Sequence, residues 1–416
     1  MAFQAGLLAL FLLTAVAVTL RPKGIWEGVW PLLAVVLALL AGILTLADAS
    51  RGIRSSLDVL AFFAGLLLLA GAIRSHGALG GLLDRVERWS GTSTRRLLLT
   101  VAAATVVVTA LLSNDAAALI LAPELFARLR RRGLSVAPFA LLIAFIANAA
   151  SLLLPISNPV NLLILDRSNL ALAVYLPTVS PAAVVAVLIT AVACLPAVAR
   201  LLPSTTAPAP MAAWSSSRPT RARWWLATLL FALIVTDVVF AAFRLPIGPP
   251  TLGAGLVAAT VVSLEGAGMA PLRNLSWSIL ALVAGFAVLA SGLARAGWLA
   301  HAAASLAGAG GWLSGFYVGM VTAGISGGIN NLPAALLVTS ALQGGGHHVG
   351  PPILAAITGA DLGPNLAPLG SLSTILILAA ARRSGEPVSW SRTLRLGLLI
   401  GPLALVPSLV LVAFNH

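Results

Sequence analysis

The chain has 416 residues, 59% of them hydrophobic and 9% charged, with a formal net charge of +13 and a mean hydropathy of +1.02. Soluble globular domains carry about 25% charged residues, so a soluble enzyme, a disordered chain and a disulfide scaffold are excluded as classes. The cations lie in short loops between apolar runs rather than in a stripe or tail, which argues against a nucleic-acid partner. The lone Cys194 allows neither an internal disulfide nor a thiolate metal cage, and within its apolar run it reads as a small buried hydrophobe.

In chain order, apolar runs long enough to cross a bilayer fall at 2–20, 29–47, 58–75, 138–165, 174–199, 224–243, 250–264, 276–295, 351–379 and 395–414. No basic residue precedes Arg21, so residues 2–20 read as a first span rather than a signal peptide. Two further apolar stretches, 97–131 and 313–343, carry polar centres. Each reads as a re-entrant hairpin or as two full spans, and the hairpin is favoured because the polar tip is its one plausible turn. Short alternating segments of the β-barrel kind are absent. The expected fold is an all-α integral membrane protein of ten spans and two hairpins.

The positive-inside rule orients it. Arg51, Arg54, Arg167, Arg244 and Arg295 fall on one face, and the other 20 of the 25 Lys and Arg fall on the opposite face, which is then cytoplasmic. Both termini are expected outside the inner membrane. Trp26, Trp30, Trp89, Trp224, Trp225, Trp277, Trp298, Trp312 and Trp390 lie near span ends, as interfacial anchors do. Residues 203–223, rich in Pro, Ser, Thr and Ala, read as a cytosolic linker between residues 1–202 and 224–416.

Those halves look like repeats. Asn148, Pro155, Asn158 and Asn161 correspond to Asp361, Pro368, Ser371 and Thr374 at one offset of 213 residues. Asn114-Asp115 and Asn330-Asn331 correspond at 216. Each half crosses an odd number of times, so the second is inverted, a pattern found in secondary transporters.

Four places break the apolar runs: Ser113-Asn114-Asp115; Leu154 through Asn161, with Pro155 and Pro159; Gly327 through Pro333; and Gly359 through Ser371. Pro155 and Pro159, four apart, are expected to break the helix there, since each removes a donor and clashes with the preceding turn. Helix ends at such breaks supply N–H donors, unwound segments supply carbonyls, and Asn, Ser and Thr add neutral partners. The candidate binding residues are Asn114, Asn148, Ser157, Asn158, Asn161, Asn330, Asn331, Ser371 and Thr374. Asp115 and Asp361 are intramembrane acids and candidates for proton coupling. Asp237 lies in a plain span and reads as structural, and Glu124 is placed to pair with Arg128. His347-His348, His76 and His301 read as solvated turns rather than metal ligands. No P-loop, nucleophile elbow or HExxH motif occurs, so neither ATP hydrolysis by that route nor intramembrane catalysis is indicated, and no cofactor is called for.

These segments resemble those of bacterial arsenite efflux permeases. The resemblance lies in Ser113-Asn114-Asp115-Ala116 through Pro123, in Phe145-Ile146-Ala147-Asn148 through Asn161, in Asn330-Asn331-Leu332-Pro333, and in Asp361-Leu362-Gly363-Pro364 through Thr374. It runs nearly end to end. It implies export of arsenite, and similarly of antimonite, by proton antiport, with an elevator-like mobile domain. For some members it also implies a soluble arsenical-stimulated ATPase partner. Two positions depart from the family pattern: Asn148 stands where an acid is usual, and Asn365 where a Lys is usual. A sodium/proton or organic-anion transporter of the same superfamily is the alternative, and a passive channel a more remote one. The absence of Lys and Arg from all four breaks weighs against an anion carrier.

Overall fold

The structure is a computed structural model that describes residues 2–20, 26, 28–75, 79–202, 221–243, 245–269, 272, 277–296, 311–344 and 350–414. The described residues are helical, without a strand. The helices are α1 Ala2–Leu20, α2 Val29–Leu40, α3 Leu46–Arg54, α4 Leu57–Ser75, α5 Gly80–Ser90, α6 Thr94–Leu111, α7 Asn114–Ala116, α8 Ala122–Arg131, α9 Ala137–Ala150 and α10 Pro159–Arg167. They continue as α11 Leu172–Ala199, α12 Arg221–Ala242, α13 Gly248–Val262, α14 Trp277–Ala296, α15 Gly311–Ile329, α16 Asn331–Gly344, α17 Pro351–Leu362, α18 Leu372–Arg383 and α19 Trp390–Phe414. A π-helical turn, Ala117–Leu121, joins α7 to α8. Four helices, Leu57–Ser75, Thr94–Leu111, Ala173–Ala199 and Trp390–Phe414, are long and apolar enough to cross a membrane, and shorter apolar helices accompany them.

Most spans follow the apolar runs. The expected span at 29–47 is the main exception, because α2 stops at Leu40 and a turn leads into the short amphipathic α3. The reason is local: Thr45 caps α3 by accepting from the Asp48 N–H at 3.2 Å, while Asp48 accepts from the Thr45 N–H at 2.9 Å. This capping box starts a new helix where hydropathy alone runs on. The second addition is α5, a polar helix on the arginine-rich side. Residues 203–220 of the expected linker lie outside the described residues, as do Trp298, His76, His301, His347 and His348.

Two helix pairs join the halves of the chain. The Gly248 N–H donates to Asp58 Oδ1 at 2.8 Å, and further along Gly65 packs directly on the backbone of Thr251 and Gly255. α4 and α13 therefore run parallel at a separation that only glycines permit. The Gly28 N–H donates to Ser278 Oγ at 2.9 Å, and a Cβ on Gly285 would lie 2.5 Å from Pro31 Cβ. α2 and α14 thus form a second parallel pair. Arg167, at the end of α10, donates to the Ala287 carbonyl at 2.6 Å and to Ser291 Oγ at 3.1 Å, tying α10 to α14.

At the centre, α9 and α17 are buried almost all round, as expected of helices surrounded by other helices rather than by solvent or lipid. α17 runs beside α15, with Gly359 and Gly363 against the backbone of Gly319 and Ala323. Both central helices stop at the sequence breaks. α9 ends at Ala150 and gives way to a 3-10 turn, Pro155–Ser157; α17 ends at Leu362 and gives way to Gly363–Asn365.

On the arginine-rich side the loops are cross-linked. Arg128 meets Asp84 at 2.9 Å, Glu124 at 3.4 Å and Glu87 at 3.6 Å, so the expected Glu124 pairing is part of a larger cluster. Glu386 Oε2 accepts from Ser135 Oγ at 2.7 Å and from the N–H groups of Val136 at 2.7 Å and Ala137 at 3.3 Å, with Arg130 3.6 Å from Oε1. Burial alone would push the Glu386 carboxyl up, but the bonds at the start of α9 and the Arg130 charge outweigh it, and its pKa is lowered. Trp26, Trp89, Trp224, Trp277, Trp312 and Trp390 have exposed rings, while Cys194 is fully buried.

Candidate transport site

The breaks converge. Four helices begin at one small cavity: α7 at Asn114, α10 after Asn158, α16 at Asn331 and α18 after Ser371. Its polar wall is Asn114, Asp115, Asn158, Asn330, Asn331 and Ser371; α14 closes it with Ile279, Leu282 and Val283. Its volume is about 30 Å³, room for about two waters. Each helix start presents N–H groups without intrahelical partners, and the four macrodipoles direct positive ends at the same space.

Local chemistry fixes each end. Ser113 turns the first tip, and its Oγ accepts from the Ala116 N–H at 3.0 Å. Asn158 is extended and caps α10, accepting from the Val160 N–H at 3.1 Å. Asn330 turns the second tip at φ +95°, a left-handed conformation that asparagine tolerates better than most residues. The Leu332 N–H points back to the amide oxygens of Asn330 and Asn331 at 3.3 and 2.9 Å. The Asn331 N–H donates to the Gly370 carbonyl at 2.8 Å, joining this tip to the second break. Ser157 Oγ donates to the Ala110 carbonyl at 3.1 Å, joining the first break to α6. Asn114 is 3% exposed and its Oδ1, deep in the cavity wall, has no hydrogen-bond partner. A buried amide oxygen left open marks the place where a donor from a bound solute would be welcome.

Behind this wall the two breaks bond to each other. Asp361, 1% exposed, accepts from Asn158 Nδ2 at 2.6 Å, from Ser151 Oγ at 2.9 Å and from Asn161 Nδ2 at 2.9 Å. Asn148 Nδ2 donates to Thr374 Oγ1 at 3.0 Å and to Asn365 Oδ1 at 3.1 Å, and Asn365 donates on to the Phe145 carbonyl at 3.1 Å. The contacts are reciprocal: Asn148 to Thr374 and Asp361 to Asn161 use residues separated by the same 213 positions.

The predicted residues therefore fall into two groups. Asn114, Asp115, Asn158, Asn330, Asn331 and Ser371 share the cavity. Asn148, Ser157, Asn161, Thr374 and Asp361 do not line it; they form the frame that holds the broken helices in register. Asn365, singled out in the sequence only as a departure from the family pattern, belongs to the frame, as do Ser151 and Tyr175, which escaped prediction although Ser151 lies three residues after Asn148, where it shares that residue's helix face. Tyr175 donates to the Leu152 carbonyl at 2.8 Å. Asp237 accepts from Thr251 Oγ1 at 3.2 Å inside the α12–α13 contact and lies away from the cavity.

A polytopic helical bundle with a small polar cavity, lined by amides, a hydroxyl and one carboxylate, where four helices begin is a membrane transporter. The chain belongs to the CitMHS family, described as citrate transporters, which matches residues 10–409. It is 29% identical over 409 residues to an arsenical pump membrane protein of Escherichia coli, with 94% of each chain covered, and 27% identical over 408 residues to one from Yersinia enterocolitica at the same coverage. An uncharacterized transporter of Mycobacterium tuberculosis is 26% identical over 361 residues, 82% of each chain.

Proposed function

We propose that the protein exports arsenite, and also antimonite, from the cytosol across the inner membrane in exchange for protons. The observation that carries this reading is the cavity: amide and hydroxyl groups with four helix N-termini, a single carboxylate, and no cation or thiol in its wall. A small uncharged polyhydroxy solute both donates and accepts hydrogen bonds. The N–H groups suit its oxygens, and Asn114 Oδ1 suits its hydroxyls. The named relatives point the same way.

Asp115 stands in the wall, so its protonation and solute occupancy compete for one space. Asp361 holds the α10 cap Asn158 from behind, so a proton on it alters the same wall indirectly. Inward proton flow through these acids then drives outward export.

The reciprocal bonds between the breaks and the two parallel pairs exchanged between halves support an inverted repeat of 1–202 and 224–416. The hairpin reading of 97–131 rests on its polar tip at Asn114, although its first arm, Thr94–Leu111, is by itself long and apolar enough to cross a membrane. The arginine distribution supports both ends lying outside. An elevator-like movement of the hairpins and broken helices against α14 follows the superfamily pattern, and a soluble ATPase partner fits some relatives.

One observation favours a second reading. Four positive helix ends also suit an anion, and the family is described by citrate. Against it stands a wall whose one charged group, Asp115, is itself an anion, with no cation to hold a carboxylate. Uptake of labelled arsenite by everted vesicles, with and without an inside-acid gradient, tests the proposal. Gradient-driven uptake abolished by an uncoupler supports it. Citrate uptake without arsenite uptake selects the second reading.

A further inference from the structure

A second and larger cavity lies next to the central one, toward the arginine-rich side. Its volume is about 360 Å³, and it is bounded by the ends of α4 and α18, the start of α5 and the π-helical turn before α8. It is one turn away along two separate elements: Leu372 lines the central cavity and Leu376 this one; Asp115 lines the central cavity and Ala118 this one. Two exposed arginines line it, Arg74 from the first half of the chain and Arg383 from the second. Two nearby cations are ion-paired, Arg128 with three acids and Arg130 with Glu386. Arg74 and Arg383 have no ion-pair partner among the described residues. The carboxylate bordering the cavity, Glu124, is already engaged by Arg128.

We propose that this vestibule is a binding site for a phosphate-type oxyanion, held between Arg74 and Arg383. Arginine presents a planar fork of donors that matches such oxygens. A basic recess between helices at the cytosolic surface also has the character of a phospholipid headgroup site. The two sources share one chemistry: free phosphate, or the phosphate of an anionic lipid. No residue that lines it also lines the central cavity, so the proposal does not depend on what that cavity carries.

The test uses the full chain purified in an uncharged detergent, with its unfolding midpoint followed by intrinsic fluorescence. Inorganic phosphate is titrated against sodium chloride of equal ionic strength, and short-chain phosphatidylglycerol against short-chain phosphatidylcholine. The expected result is a saturable rise with phosphate, which identifies a soluble ligand, or with phosphatidylglycerol alone, which identifies a headgroup. Each of Arg74→Gln and Arg383→Gln should weaken the response about tenfold, the loss of one charge-assisted bond. The Arg392→Gln, Arg395→Gln pair, which removes twice the charge of either single variant from α19, should leave it intact. No saturable response to either probe, or an undiminished response in both single variants, overturns the proposal.

Discussion

Asp361→Asn separates the frame from the cavity wall. Three donors face this carboxylate, Asn158 at 2.6 Å and Ser151 and Asn161 at 2.9 Å. An amide keeps one acceptor oxygen. If that oxygen stays with Asn158, the new NH2 faces Ser151 and Asn161. The Ser151 hydroxyl already reaches the Asn148 carbonyl at 2.8 Å and can turn wholly to it, offering its oxygen as acceptor. Asn161 Nδ2 has no such option, since a nitrogen carrying two hydrogens cannot accept. One to two bonds to a charged group are lost, at about 1.5–3 kcal/mol each, so the variant should be less stable by about 2–5 kcal/mol. Asp115→Asn, in the cavity wall, should uncouple arsenite uptake from the proton gradient. The assay is denaturant unfolding of both variants in detergent, with vesicle uptake measured in parallel. An Asp361→Asn protein as stable as the parent, or an Asp115→Asn protein still driven by the gradient, refutes this division of roles.

The Glu386 clamp has a definite pH dependence. Its carboxyl pKa is lowered in the fold, so the stabilisation is present above the usual glutamate value of about 4.3 and is lost as pH falls through the lower folded value. Glu386→Gln should therefore lower the unfolding midpoint at neutral pH and flatten the acid limb of the stability profile, read by scanning at pH values on both sides of that range. At the second tip, Asn330→Gly keeps the φ +95° backbone while Asn330→Ala strains it; the alanine protein should be less stable than the glycine one by about 1–2 kcal/mol, with uptake reduced in both. Gly65→Val drives a side chain into the Thr251 backbone and should cost about 3 kcal/mol. Gly253→Val, which meets nothing within 4 Å, is the control, and equal unfolding midpoints would contradict the packing argument.

The breaks were legible where proline, glycine and asparagine come together; proline pairs alone are no such signal, since Pro177 and Pro181 lie four apart inside the unbroken α11. Pro155, Pro159, Pro364 and the glycines from Gly359 to Gly370 stand out against apolar runs, and asparagine beside them signals caps. Depth was not legible. Asp115 and Asp361 look alike in sequence, yet one faces a cavity and the other is enclosed by three side chains from the opposite half. That difference depends on which helix faces meet across the molecule, and hydropathy carries no such information. Ser151 passed unnoticed because its partner lies 210 residues away. α3 and α5 were missed for another reason: both are short and amphipathic, and their signals, a capping box and a mixed charge pattern, are weaker than the runs beside them.

The two glycine-lined pairs also constrain biogenesis. α4 and α2 emerge from the ribosome long before α13 and α14, their partners. Until those partners are synthesised, the grooves at Gly65 and Gly28 have no protein surface to receive them and must be filled by lipid. Completion of the second half displaces that lipid and seats the partners alongside, so the interior of the first half is finished by the last half of the chain to be made. A product truncated before Gly248 therefore retains two mismatched grooves in the bilayer, the kind of lesion that membrane quality-control proteases can recognise.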